Sequence, residues 1–157
     1  MGTADDTNCE VHEGGCVCGK VRYKATGEPV NVVVCHCKWC QRRTGSGFAV
    51  IPKFFKDQIK IVEGTLKHYR SYSDESGRWL ELGFCFNCGT NIGFTQQLRP
   101  EAQAIDASTF DDPSWLKPDQ QHFRYIFLRS GQAWSELPEG VEHHKGHFLT
   151  AEGPGKP

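Results

Sequence analysis

The sequence predicts a single, mostly β domain with only short helical turns. Two observations carry that prediction. Short apolar runs recur with a period of two, and residues that favour turns bound most of them. The length, 157 residues, suits one core of good size and is too short for two ordinary domains.

In chain order, residues 1–12 are polar and acidic and read as an irregular leader. A folded domain is expected over 13–149, with a flexible tail over 150–157. "KVRYKAT" (Lys20–Thr26) sets Val21, Tyr23 and Ala25 against Arg22 and Lys24, the alternation of a half-buried strand. "PVNVVV", "GFAVIP", "IKIVEG", "LKHYRSY", "RWLELGF", "TNIGFTQ" and "HFRYIFL" are further β-branched or aromatic runs. "TGEP", "EGT", "DESG", "CGT", "DDPS" and "LRSG" supply the turns. Two short helical stretches are expected: the turn after Cys40, and "PKFFKDQ" (Pro52–Gln58), where Pro suits a first turn. There is no fixed-period repeat and no low-complexity segment.

Charge is balanced, with 18 Lys and Arg against 19 Asp and Glu, a formal net charge of -1. No basic stripe offers a nucleic-acid footprint, so a nucleic-acid partner is not expected. No apolar run approaches the ~18 residues of a membrane span, and the start lacks a basic, then apolar, export signal. The cytoplasm is the expected compartment.

Seven of the eight cysteines are clustered: Cys16 and Cys18 as C-x-C, Cys35, Cys37 and Cys40 as C-x-C-x-x-C, and Cys85 and Cys88 as C-x-x-C. In a reducing compartment such clusters bind metal or do chemistry more often than they form disulfides. Four thiolates suit a closed tetrahedral zinc site, and Cys16, Cys18, Cys85 and Cys88 can supply them from two loops. Gly19 and Gly89, each following a cysteine, permit the tight turns such loops need. Cys35, Cys37 and Cys40 then remain. Three protein ligands with an open fourth position are the pattern of a catalytic zinc. Two zincs per chain are therefore expected. Three thiolates on Zn²⁺ leave a net charge of about -1, a mild Lewis acid that can polarise a carbonyl or hold a thiolate. That suits addition of a thiol to a small aldehyde, or the reverse. His36 or Cys9 could instead close the second site, or the clusters could share ligands differently. Against His36, neighbouring side chains on extended backbone point opposite ways.

The order "GGCVCGKVRY", "CHCKWCQRRTGSGF", "FCFNCGTNI" and "ASTFDDPSW" resembles the glutathione-dependent formaldehyde-activating enzymes, a group that includes centromere-protein-V-like domains. The resemblance runs from Gly14 to Trp115. It implies a β-tent fold and two zincs. Cys16, Cys18, Cys85 and Cys88 match the structural site, and Cys35, Cys37 and Cys40 match the catalytic one. It also implies carbon–sulfur lyase chemistry, the condensation of glutathione with formaldehyde to S-hydroxymethylglutathione. Ser108 departs from the family pattern, which has Gly there.

Around the open site, Arg42 is a candidate for a substrate carboxylate, and Gly45, Ser46 and Phe48 are candidates for the pocket wall. Arg43 reads as a solvated turn residue. Thr90 and Asn91 are expected to shape the turn after Cys88. Trp79, Phe84 and Trp134 read as core, and His143, His144 and His147 as a solvated tail. Two other functions compete with the enzyme. One is a non-catalytic zinc domain that binds a protein or nucleic acid. The other is a methionine sulfoxide reductase, for which Cys9 is the only cysteine left over.

Overall fold

The computed structural model describes residues 9–73 and 76–148. The expected tail at 150–157 and most of the expected leader lie outside them. Strands are β1 (Val11–Gly15), β2 (Arg22–Thr26), β3 (Asn31–Cys35), β4 (Ala49–Phe55), β5 (Ile59–Glu63), β6 (Leu66–Tyr72), β7 (Trp79–Cys85), β8 (Asn91–Gln96), β9 (Ala102–Ile105), β10 (Arg124–Ile126) and β11 (Glu142–His143). Helix α1 (Lys38–Thr44) is the α-helix among the described residues, and short 3-10 turns fill several connections. The fold is mostly β, as its alternating runs predict. β1 begins at Val11, two residues inside the segment expected to be irregular.

The strands form two sheets. One is three-stranded, in the order β1-β2-β5, and the other eight-stranded, in the order β11-β10-β3-β4-β9-β8-β7-β6. All pairings are antiparallel except those of β10, which runs parallel to both β3 and β11. The return of a late segment beside β3 pairs Ile126 with Cys35, the first residue of the second cysteine cluster.

Each face of the large sheet carries its own core. On one face Phe54, Ile92 and Ile105 meet Val21, Tyr23 and Ala25 of the small sheet, together with Phe110. On the other, Val33, Ile51, Phe94, Ala104 and Ile126 pack around Cys35 and Cys40. Ile92 and Phe94 are two apart in sequence yet face opposite cores. A register shift between β7 and β8 explains this, because the bulged residue re-aims the side chains after it. Gly14 is required by close approach: a Cβ there would sit 2.4 Å from the Tyr23 hydroxyl.

"PKFFKDQ" is not a helix. Pro52–Phe55 belong to β4, and only Lys56–Gln58 form a 3-10 turn. The alternation of Ile51 and Lys53 against Phe54 matches a strand buried on both faces, which outweighs the Pro signal. Pro52 is tolerated because β9 pairs with β4 only over Lys53–Phe55, so at Pro52 the strand has a neighbour on one side. Trp134 is not core: it is 71% exposed and lies against Gly47. Nor is the histidine segment a free tail. His143 lies in β11, the His144 amide donates to the Tyr125 carbonyl at 2.8 Å, and His147 stacks on Phe148.

Candidate functional site

Two groups of cysteines that could hold a metal ion stand out among the described residues. In each, the sulfurs lie within 4.8 Å of one another. The first joins Cys16 and Cys18, in the β1–β2 turn, to Cys85 at the end of β7 and Cys88 beyond it. Cys16 and Cys18 Sγ are 3.5 Å apart, and Cys18 and Cys85 Sγ 3.8 Å. Four sulfurs at ~2.3 Å from a tetrahedral zinc are about 3.8 Å apart, so the donor set fits. The Val21 amide donates to Cys16 Sγ at 3.2 Å, and the Asn87 and Cys88 amides to Cys85 Sγ at 3.4 and 3.5 Å. These are the bonds that orient and stabilise thiolate ligands. The Gly19 and Gly89 amides do not reach sulfur. Both residues adopt positive φ, 76° and 78°, and donate to the carbonyls of Cys16 and Cys85. Thr90 does shape this turn: its hydroxyl accepts from the Val17 amide and lies 3.1 Å from Cys88 Sγ. The Thr90 hydroxyl contact, then the Thr90 and Cys18 amides, draw the Cys88 thiol down to about 5.

The second group is Cys35, Cys37 and Cys40. Its construction is local. Cys35 ends β3, facing the same side as Val33. Cys37 caps α1, its Sγ accepting from the Cys40 amide at 3.3 Å, and Cys40 stands one turn in. Cap and third residue share a helix face, so both sulfurs meet that of Cys35. The three cannot ionise together without a cation. Contacts from Cys35, then Cys40, pull the Cys37 thiol down to about 3. Contacts from Cys37, then Cys40, and then burial push Cys35 well above the ordinary thiol range. The Cys35 contact pulls Cys40 down, but the Cys37 thiolate and burial outweigh it and take Cys40 up to about 12. One charge is shared by three sulfurs, and a bound divalent ion would let all three become thiolates.

Neither alternative fourth ligand joins this group. His36 is buried beside Phe48 and Tyr125, and Cys9 is exposed near Gly27 on the small sheet. The Cys9 position also leaves the methionine sulfoxide reductase reading without a spare cysteine at this site. Instead the three cysteines border a cavity of about 630 Å³. Its floor is the face of the large sheet bearing Val33, Ile51, Phe94 and Ile126, and Trp39 of α1 lines it too. Lys38, Arg42, Lys53 and Arg78 also line it, and none of its described lining residues is Asp or Glu.

Of the residues expected to contact substrate, Arg42 lines the cavity. Gly45, Ser46 and Phe48 lie beyond the C-terminal end of α1, outside the lining. Gly45 ends the helix in the left-handed conformation, φ 66°, and Phe48 packs on His36. Ser108, in the 3-10 turn Ala107–Thr109, is not among the residues with positive φ, so a side chain there needs no strained backbone.

Arg43 is not solvated. Its guanidinium is buried and makes two bonds to the Asp106 carboxylate, at 2.6 and 2.8 Å, while covering the rings of Trp39 and Phe94. Asn91 donates to the Arg43 carbonyl at 2.8 Å. Gln41 ties the other side of α1 down, donating to the His36 and Ser130 carbonyls. Sequence reasoning missed Arg43, Asp106 and Lys53 as parts of the site. The period-two pattern offered one signal, since Lys53 falls on the inward side of β4 with Ile51.

No helix among the described residues is long and apolar enough to cross a membrane. Comparison with known proteins agrees with the geometry. A family model described as glutathione-dependent formaldehyde-activating enzyme matches residues 11–126 of the 157. A protein of Halomonas elongata called a putative glutathione-dependent formaldehyde-activating enzyme is 26% identical over 129 residues, 80% of each chain. An uncharacterized lyase of Schizosaccharomyces pombe is 30% identical over 83 residues, 53% of this chain and 56% of that one. The chain thus spans little more than half the length of this second relative. A crystal structure of a Rhodobacter sphaeroides protein superposes with a TM-score of 0.53 at 21% identity, covering 73% of this chain and 99% of that one, and so shares the fold. With both cysteine groups inside or at the edge of one matched span, the chain belongs to the family of glutathione-dependent formaldehyde-activating enzymes.

Proposed function

We propose that the protein is a zinc-dependent carbon–sulfur lyase acting on a thiol–aldehyde adduct, with glutathione and formaldehyde the best-fitting pair. The observation that carries this is the three-thiol group bordering an open cavity, beside a separate four-thiol group that is complete in itself. Cys16, Cys18, Cys85 and Cys88 would hold a structural zinc, tying the small sheet to the β7–β8 turn. Cys35, Cys37 and Cys40 would hold the second. When bound there, zinc supplies positive charge that favours a thiolate at neutral pH and polarises a carbonyl.

In the forward direction a carbon–sulfur bond forms between thiol and aldehyde carbon, and the thiol proton ends on the former carbonyl oxygen. Cleavage is the reverse. The chain's own contribution is placement. Val33, Ile51 and Phe94 make the floor of the cavity apolar, which limits competition from water. Arg42, which lines the cavity, would receive a carboxylate of the thiol substrate through its planar fork. The cations Lys38 and Arg42 suit an acidic thiol such as glutathione better than a neutral one.

The test uses ¹³C-formaldehyde and glutathione followed by NMR. Catalysis predicts that zinc-loaded protein speeds exchange between free and adduct carbon in proportion to its concentration, and that Cys37→Ser does not. A protein holding two zincs that leaves the exchange rate at its uncatalysed value would overturn the proposal and favour a non-catalytic binding domain.

A further inference from the structure

Lys53 sits in a costly position. It is 8% exposed, in the middle of β4, with Ile51 beside it on the same face and Ala104 opposite it on β9. Among the described residues no carboxylate pairs with it, whereas Lys24 on the surface pairs with Glu13. A buried ammonium is kept only where something compensates it. Its side chain lines the cavity. Burial disfavours its charge, and the thiols of Cys35 and Cys40 favour it.

The register sets its distance from the cysteines. Ala49 is paired with Cys35, and Lys53 lies four residues farther along the same strand. At ~3.3 Å per residue the two levels are about 13 Å apart. The flexible stem of the lysine shortens that gap, leaving room for a ligand with several bonds between its two ends. The floor between them is apolar: Val33 and Ile51 face each other across β3 and β4. A ligand held at both ends would thus meet sulfur chemistry at one and the Lys53 ammonium at the other.

We propose that Lys53 is the carboxylate-binding residue at the inner end of this cavity, holding an acid group of the ligand while that ligand's sulfur lies beside Cys35, Cys37 and Cys40. This rests on the thiol-substrate reading given above. Lys53 is a specificity residue here: it would select thiols that carry an acid group several bonds from sulfur over neutral thiols of equal size. The competing role is as a counter-charge for the cysteine cluster itself, with no ligand contact.

The experiment is calorimetric titration of the zinc-loaded protein with S-methylglutathione and with its diethyl ester. The blocked sulfur cannot become a thiolate, so binding reads the acid groups and not the chemistry. Wild type is expected to bind the diacid more tightly than the diester. Lys53→Met should weaken the diacid by about 10- to 100-fold, the range for a lost hydrogen bond to a charged group, and leave the diester unchanged. Lys53→Arg, which keeps the charge, should restore part of the preference. Unfolding curves and zinc content of the three proteins check that each is folded and loaded.

Three results would overturn the proposal. In one, wild type binds both compounds alike or neither. In the second, Lys53→Met binds the diacid as tightly as wild type. In the third, Lys53→Met loses zinc from the second group and weakens both compounds together, which assigns Lys53 to the cluster. Should Lys53→Met prove unfolded, Lys53→Gln takes its place, and a diacid affinity equal to that of wild type overturns the proposal. The NMR exchange assay is independent, so lyase chemistry can fail while Lys53 still selects the diacid.

Discussion

Arg43 and Asp106 form a two-pronged ion pair beneath α1, with side chains only 3% and 15% exposed. The pair anchors the helix that carries Cys40 to the segment following β9. Asp106→Ala would leave the guanidinium buried without its partner, and such losses cost about 3–5 kcal/mol. We expect a drop of that size in denaturant unfolding. Arg43→Met with Asp106→Leu should recover much of it, because two apolar groups leave no orphaned charge. A single Asp106→Ala change within ~0.5 kcal/mol of wild type would show that the pair contributes little.

The two cysteine groups should respond differently to mutation. Cys85 belongs to a group that joins distant parts of the chain, whereas Cys37 belongs to one contained in six successive residues. Cys85→Ser is expected to lose one metal and the cooperative unfolding transition. Cys37→Ser should lose the other metal, keep the near-ultraviolet circular dichroism of a packed fold, and lose activity. Metal analysis alongside the spectra decides this, and loss of fold in both variants would mean two structural sites.

Chelation offers a separate check. A three-thiol site that opens into a cavity can be approached by a chelator, while a four-thiol site must first lose a ligand. Release in two phases is expected, with the fast phase absent in Cys37→Ser. One phase carrying both metals would contradict it.

The imidazole of His147 is held down to about 4, by burial first and then by the charge of Lys53. Its ordinary value is near 6.5, so the unfolded chain takes up a proton there before the folded protein does. This contribution to stability is complete above about pH 6.5 and is lost as pH falls toward 4. Denaturant unfolding at pH 7.5 and pH 5 should therefore show a larger loss for wild type than for His147→Phe. Metal release at low pH affects both proteins alike, so the difference isolates the histidine. Equal losses would refute the assignment.

Much of this architecture is legible in sequence because it is local. Alternation in "KVRYKAT" and its successors marks strands, and the helical turn expected after Cys40 is the later part of α1, which already begins at Lys38. The division of seven cysteines into a group of four and a group of three also follows from spacing and counting. What escaped depends on contacts between distant segments. Arg43 looks like any residue of a basic turn until Asp106, sixty-three positions later, is folded against it. "PKFFKDQ" has a helical first-turn Pro, and the pairing of β4 with β3 and β9 makes Pro52–Phe55 a strand. The two-residue strand β11 exists because a neighbour is already there, which propensity cannot register.

The parallel placement of β10 against β3 has a consequence for the order of assembly during synthesis. Cys35, Cys37 and Cys40 emerge from the ribosome together and can capture a metal early. Cys16 and Cys18 must wait for Cys85 and Cys88. The strand that flanks Cys35, at Arg124–Ile126, arrives later still. The nascent chain therefore presents its reactive cluster before β10 is available to flank it, and Ile126 and Phe127 join the cavity wall only afterwards. Loading of that cluster can then begin before the fold is finished, while the finished cavity still leaves it open to exchange.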